Sequence, residues 1–282
     1  ACATEIDTYC SQVTLGEGRL LACFYAHEDK LSGQCQWALY EGAAQLEMFA
    51  AEADGLSELR RCTALRIPAP VCWGEADGHS YLVMENLALG GSGDAAMLGE
   101  GLAAMHRITQ PRFGWHRDNT IGATPQSNQW TADWPAFWQK HRLGFQLRLA
   151  ADNGYGGDLQ RRGEMLQAQL PELLAHGPVP SLIHGDLWGG NMNSDSEGNP
   201  VIFDPAVYYG DREADLAMTE LFGGFSAPFY NAYREAWPLD SGYAVRKTLY
   251  NLYHVLNHLN LFGGGYGAQA EGMMARLLAE CG

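Results

Sequence analysis

The chain has 282 residues, 46% of them hydrophobic and 18% charged, which suits a globular protein with a large core. Its 33 acidic against 18 basic residues leave a net charge of −15, which argues against a nucleic-acid partner, since phosphate binding needs a concentrated basic surface. No apolar run approaches the roughly 20 residues of a membrane helix.

The opening ACATEIDTYC lacks the basic and apolar segments of a signal peptide. The seven cysteines show no CxxC or metal-like spacing, so they read as reduced thiols and the expected location is the cytoplasm. Residues 19–42 suggest two short strands around Lys-Leu-Ser-Gly. Residues 46–62 read as a helix, with apolar positions at 46, 49, 53, 56 and 59. RIPAPVCWG, with two prolines, suits an edge strand, and HSYLVMENL (79–87) a buried one. The glycine-rich ALGGSGD that follows is the candidate hinge. Beyond it come a helix capped by Asp94, a helix opened by Trp134-Pro135, and a third in which Pro171 marks a kink or restart. NMNSDSEGNPVIFDPA reads as a hairpin, and two more helical stretches follow, DREADLAMTELFGG and YAVRKTLYNLYHVLNHLNLFGG. The expected architecture is α+β and two-lobed, with a small strand-rich lobe over 1–86 and a larger helical lobe over 87–282.

The stretch SLIHGDLWGGNM (181–192) carries the chemistry. Alone, His-Gly-Asp after a strand reads as a turn. The hairpin changes that reading: Asn191 begins its first strand and Asp204 ends its second, so pairing brings them about 5 Å apart, beside Asp186. Oxygen ligands converging next to a loop aspartate suit a hard cation such as Mg2+. His-x-Asp-x4-Asn is the spacing of a kinase catalytic loop, with FDP where a kinase has Asp-Phe-Gly. In that chemistry Asp186 accepts the attacking hydroxyl's proton, while Asn191 and Asp204 hold metal. The chain then runs almost directly into a helix, with no Ala-Pro-Glu, which favours a small-molecule acceptor.

HGDLWGGN, VIFDPAVYYGDREADLAMTELFGGF and LYNLYHVLNHLNLFGGGY, with MFAAEADGL and FGWHRDNTIGATPQ, strongly resemble the fructosamine kinase (ketosamine-3-kinase) family. That family lies in the aminoglycoside-phosphotransferase and choline-kinase branch of the protein-kinase-like fold, and the resemblance spans roughly 48–276. It implies ATP-dependent phosphorylation, with Mg2+, of the sugar 3-hydroxyl of a glycated amine, small or protein-bound. The phosphorylated product then decomposes and frees the amine. No obligate protein partner is implied.

The resemblance also implies Glu52 as the helix glutamate that pairs with an ATP-binding lysine. Met84, Glu85, Asn86 and Leu87 would be the hinge whose backbone holds adenine. Trp188 and His258 become substrate-side candidates, against the competing readings of core aromatic and capped helix histidine. One departure stands out: counting back from MFAAEADGL puts Leu39 where the family has its lysine, and no lysine occurs between Lys30 and Lys140. The expected phosphate loop near 16–24 is also poor in glycine. Two alternatives therefore stay open, an impaired pseudokinase that binds nucleotide or a glycated ligand, and a kinase for another acceptor such as an amino alcohol. The histidine pair of HVLNH (254–258) has zinc-like spacing but no adjacent glutamate and no evident third ligand.

Overall fold

The computed structural model describes residues 35–41, 45–76 and 79–281. The expected phosphate loop and Lys30 lie outside them. Strand β1 (Cys35–Glu41) and β2 (Pro70–Ala76) both pair antiparallel with β3 (His79–Glu85), so β3 is central and the proline-bearing β2 is an edge. In that register Leu39 stands opposite Tyr81. Helix α1 (Leu46–Leu59) packs on this sheet through Phe49, Ala53, Leu56 and Leu59, the face set by the 3.6-residue period.

The glycine-rich stretch expected as a hinge is strapped to the larger lobe. Gly90 N–H donates to Ser194 O at 2.9 Å, and a Cβ on Gly91 would lie 1.9 Å from Asp195 O. Its glycine permits close backbone approach rather than looseness.

Helix α2 (Ala95–His106) begins at Asp94, whose carboxylate accepts Ala96 N–H at 2.8 Å. A small hairpin follows, β4 (Asn119–Ile121) with β5 (Thr124–Gln126). Helix α3 (Trp134–Trp138) and helix α4 (Gly144–Asp152) are joined by a π-helical turn over Gln139–Leu143. Within that turn Arg142 is fully buried, 4.0 Å from the Tyr208 ring, and donates to Asn128 Oδ1 at 2.7 Å. Helix α5 (Asp158–Leu173) runs unbroken past Pro171, which falls in its last turn.

Short strands then frame the centre: β6 (Ser181–Ile183) pairs with β9 (Tyr208–Gly210), and β7 (Met192–Ser194) with β8 (Pro200–Ile202). Four helices complete the lobe: α6 (Glu213–Thr219), α7 (Ala227–Ala236), α8 (Tyr243–Phe262) and α9 (Tyr266–Glu280). Helix α8 packs against both α6 and α9 and carries an almost wholly buried central run. None of the helices among the described residues is long and apolar enough to cross a membrane.

A buried ionic cluster ties these helices together. Arg246 donates to both Glu213 oxygens, at 2.6 and 2.9 Å. Asp211 accepts from His176 at 2.7 Å and from the Tyr250 hydroxyl. The His176, Asp211 and Glu213 ligand atoms lie within 4.8 Å of one another. With Arg246 forked onto both Glu213 oxygens, the group is an ion-pair clasp.

Candidate active site

Strand β6 delivers His184 and Gly185 to the head of the catalytic loop. Gly185 has φ +82°, and a Cβ there would lie 2.2 Å from Ala206 O, so only glycine lets the two segments approach. Asp215, on α6, accepts His184 N–H at 2.7 Å and Gly185 N–H at 2.8 Å, with His106 Nε2 at 3.1 Å. Those bonds hold the buried Asp215 carboxyl below its ordinary pKa, His106 foremost, against the opposing effect of burial.

His184 faces inward. Its Nε2 lies 3.0 Å from Phe203 O, which can only accept, so Nε2 carries the proton and Nδ1 accepts Asp186 N–H at 3.3 Å. Complete burial lowers its pKa and keeps the ring neutral. The histidine is thus a brace between the loop and the end of β8.

Asp186, Asn191 and Asp204 converge as the hairpin spacing predicts. Asn191 is 4% exposed, and its amide donates to Asp186 O at 2.9 Å, Asp186 Oδ2 at 3.3 Å and Asp204 O at 3.3 Å. Its Oδ1 and the Asp204 carboxylate take no hydrogen bond among the described residues. Asp204 sits at φ +58°, the one non-glycine residue with positive φ among those described. Aspartate tolerates that region better than most, and the turn aims its carboxylate into the site.

Two cavities meet at Asp186 and Asp204. The first, about 510 Å³, is lined also by Glu52, Gln45, Asn119 and Phe262. The second, about 390 Å³, is lined also by Asn191, Trp188, Phe222, His254 and His258.

Burial, with Asp204 beside it, pushes the Asp186 carboxyl up to about 7, despite the Asn191 hydrogen bond. Burial and the same Asp204 charge push Glu52 up to about 8. Glu52 has no cationic partner among the described residues; Arg117, in the segment before β4, reaches α1 but takes Asp54 at 2.5 Å and Glu47 at 3.1 Å instead. Three carboxylates around one cavity, two of them held toward neutrality, with unpartnered oxygens on Asn191 and Asp204, form an oxygen-only donor set suited to a hard divalent cation.

The chain matches the family model described as fructosamine kinase over residues 23–280. It belongs to the fructosamine kinase family. Among its relatives, it is 50% identical over 239 residues to a probable ketoamine kinase of Synechocystis sp., covering 84% of this chain and 80% of that one. It is 45% identical over 228 residues to the chloroplastic protein-ribulosamine 3-kinase of Arabidopsis thaliana, covering 79% and 70%. A crystal structure of a candidate fructosamine-3-kinase from Thermobifida fusca superposes with a TM-score of 0.77 at 34% identity, covering 85% of this chain and 82% of that one. The choline kinase LicA from Streptococcus pneumoniae shares the fold at a TM-score of 0.62 and 12% identity, covering 89% and 88%. The two-lobed α+β kinase-like fold expected from the motifs is thereby established.

The remaining family-derived candidates fall at different places around this site. At the end of β3, Glu85 is absorbed by the fold: its N–H donates to Ala69 O at 2.7 Å, and its carboxylate pairs with Arg66 and accepts Ala69 N–H at 3.2 Å. Met84 pairs in register with Gln36 and Pro70. Asn86 and Leu87 follow the strand, half-buried, and their N–H groups bond no other backbone group among the described residues. None of these four residues lines either cavity.

Trp188 and His258 do line the second cavity, joined by Phe222, whose ring centroid lies 6.2 Å from Trp188 and 5.1 Å from His258. His258 Nδ1 donates to His254 O at 2.7 Å, which fixes the ring and leaves Nε2 as its other polar atom. Sequence reasoning missed Phe222, Phe262 and the Asp215 brace. An aspartate opening the helix after Tyr-Tyr-Gly-Asp-Arg was the one available signal for the brace, and its backbone partners are invisible in sequence.

Proposed function

We propose that the chain is an ATP-dependent ketosamine kinase that phosphorylates the sugar 3-hydroxyl of a glycated amine, with Asp186 as base and Mg2+ held by Asn191 and Asp204. The observation that carries this reading is the sharing of Asp186 and Asp204 by two cavities, with Asn191 hydrogen-bonded to both loops. The first cavity, beside Glu52, suits the phosphates of the nucleotide; the second suits the acceptor.

In the transfer, the acceptor hydroxyl oxygen forms a bond to the γ-phosphorus, the bond to the ADP oxygen breaks, and the hydroxyl proton passes to Asp186. A bound Mg2+ supplies charge neutralisation for the phosphates. Asn191 positions Asp186 by donating to its carboxylate, and Asp215 fixes the loop through the His184 and Gly185 N–H groups. Asn86 and Leu87, whose N–H groups bond no other backbone group among the described residues, offer backbone groups for adenine beyond the end of β3. Trp188 and His258 serve the acceptor side.

A second reading, a nucleotide- or ligand-binding protein with impaired turnover, is favoured by Glu52, which meets no cation among the described residues. ATP consumption measured across fructosyl-, ribulosyl- and erythrulosyl-amines, with choline and an aminoglycoside as controls, decides among the readings. The kinase reading expects turnover with ketosamines alone. Turnover with choline or the aminoglycoside in preference, or with no acceptor at all, would reject it.

A further inference from the structure

The floor of the acceptor cavity holds a polar side chain with no task in the scheme above. His254 lies on α8, one turn before His258, and lines the same cavity while only 5% exposed. Its carbonyl accepts a hydrogen bond from His258 Nδ1, but neither of its ring nitrogens has a hydrogen-bond partner among the described residues. Buried polar groups are normally satisfied, so an unpaired ring facing a cavity points to a ligand or solvent partner there.

The neighbouring polar group on the floor is already committed. Asn257 accepts from Gln146 Nε2 at 3.2 Å and donates to Ile121 O at 3.3 Å. Met218 is apolar. Burial, with His258 and Arg142 nearby, drives the His254 pKa down to about 3, so the ring is neutral at ordinary pH. A neutral imidazole offers one donor and one acceptor, the same pair that a sugar hydroxyl offers in return.

The cavity is open at an exposed aromatic rim. Trp188 and Phe222 are each 38% exposed and Phe262 is 69% exposed. A ketosamine has two unlike ends, a cationic amine carrying its bulky substituent and a neutral polyol. The substituent must leave through the open end, where aromatic faces also attract an ammonium. With the reacting hydroxyl at Asp186, the polyol is then directed to the floor.

We infer that His254 hydrogen-bonds a hydroxyl beyond the fourth carbon of the sugar and so sets the preference for sugar length. The inference rests on the ketosamine kinase reading. Its test compares kcat/KM for the fructosyl, ribulosyl and erythrulosyl derivatives of one amine, in the parent, His254→Leu and His254→Asn. Erythrulose ends at its fourth carbon and lacks the hydroxyl in question.

His254→Leu should lower kcat/KM at least tenfold for fructosyl and ribulosyl substrates, mainly through KM, and under threefold for erythrulosyl. His254→Asn, which keeps a donor and an acceptor, should recover most of the loss and also serves if the leucine variant fails to fold. Equal losses on all three substrates, or none, would overturn the assignment while leaving the kinase reading intact. A parent that neither phosphorylates nor binds any of the three, by calorimetry, rejects the kinase reading itself and this inference with it.

Discussion

Leu39→Lys should raise kcat/KM for ATP at least about tenfold, a gain of roughly 1.4 kcal/mol in the barrier. Leu39 lies on β1, which pairs with β3, and the family resemblance implies in its place a lysine that pairs with Glu52. Glu52 is without a cation among the described residues, and its carboxyl is raised to about 8, so at neutral pH the free protein holds it protonated. A lysine at about 4 Å from a nucleotide phosphate would be attracted by roughly 4 kcal/mol at an effective dielectric near 20. Desolvating the ammonium consumes most of that, and a net of about 1.4 kcal/mol is the conservative remainder.

The assay is steady-state ADP release with a ketosamine acceptor at saturating Mg2+, in four proteins: parent, Leu39→Lys, Glu52→Gln and the double variant. Glu52→Gln alone should change kcat/KM by less than about threefold, because it mimics the protonated state already present. In the Leu39→Lys background it should erase the gain, the signature of a coupled pair. Brisk turnover by the parent with Leu39→Lys neutral or harmful would refute the placement of the missing cation. Loss of the parent's activity in Lys30→Ala would identify Lys30 as a surrogate for it.

Further expectations bear on the loop, the metal and the clasp. Asp186→Ala should abolish phosphoryl transfer yet leave Mg-ATP affinity, by calorimetry, within about fivefold; full activity would remove Asp186 as the base. Asp204→Ala should weaken nucleotide binding in the presence of Mg2+ and not in its absence; the same binding as the parent under both conditions would reject the metal-ligand role. Arg246→Leu should cost about 3–5 kcal/mol in urea unfolding, since it strands the buried Glu213; a cost under about 1 kcal/mol would contradict the clasp. His254, neutral down to about pH 3 when folded, ionises near 6.5 when unfolded, so the unfolded state takes up its proton first. Its contribution is complete above about pH 6.5 and falls below it, whereas raised carboxylates such as Glu52 act in the opposite sense. The parent's stability relative to His254→Asn should therefore decline by up to about 1.4 kcal/mol per pH unit below about 6.5, and a flat difference would show that the histidine titrates normally.

What could be read from sequence was what local spacing fixes. Helix α1 follows its apolar stripe, and the β7–β8 hairpin places Asn191 beside Asp204 because a Ser-Asp-Ser-Glu-Gly-Asn turn sets the register. The three-residue strand β9 was not legible: so short a buried run carries no periodicity, and its pairing with β6 spans intervening loop and hairpin. Helix α7 was overlooked although Ser226 and Pro228 supply a start signal. The π turn that buries Arg142 has no sequence signature of its own. The glycines at 90–93 looked like a hinge because composition shows only permissiveness, while the Ser194 and Asp195 backbone they press against is far along the chain. Among site residues, Asp186, Asn191 and Asp204 are tied by short-range spacing, whereas Glu52, Phe222 and His254 reach the cavities through tertiary packing alone.

The most direct measurement is phosphorus NMR of the product formed from a defined ribulosyl- or fructosyl-amine with Mg-ATP. One sugar phosphate ester at the third carbon is expected for each ADP released, and none with Asp186→Ala. ADP release without that ester, an ester at another carbon, or undiminished ester formation by Asp186→Ala would contradict it.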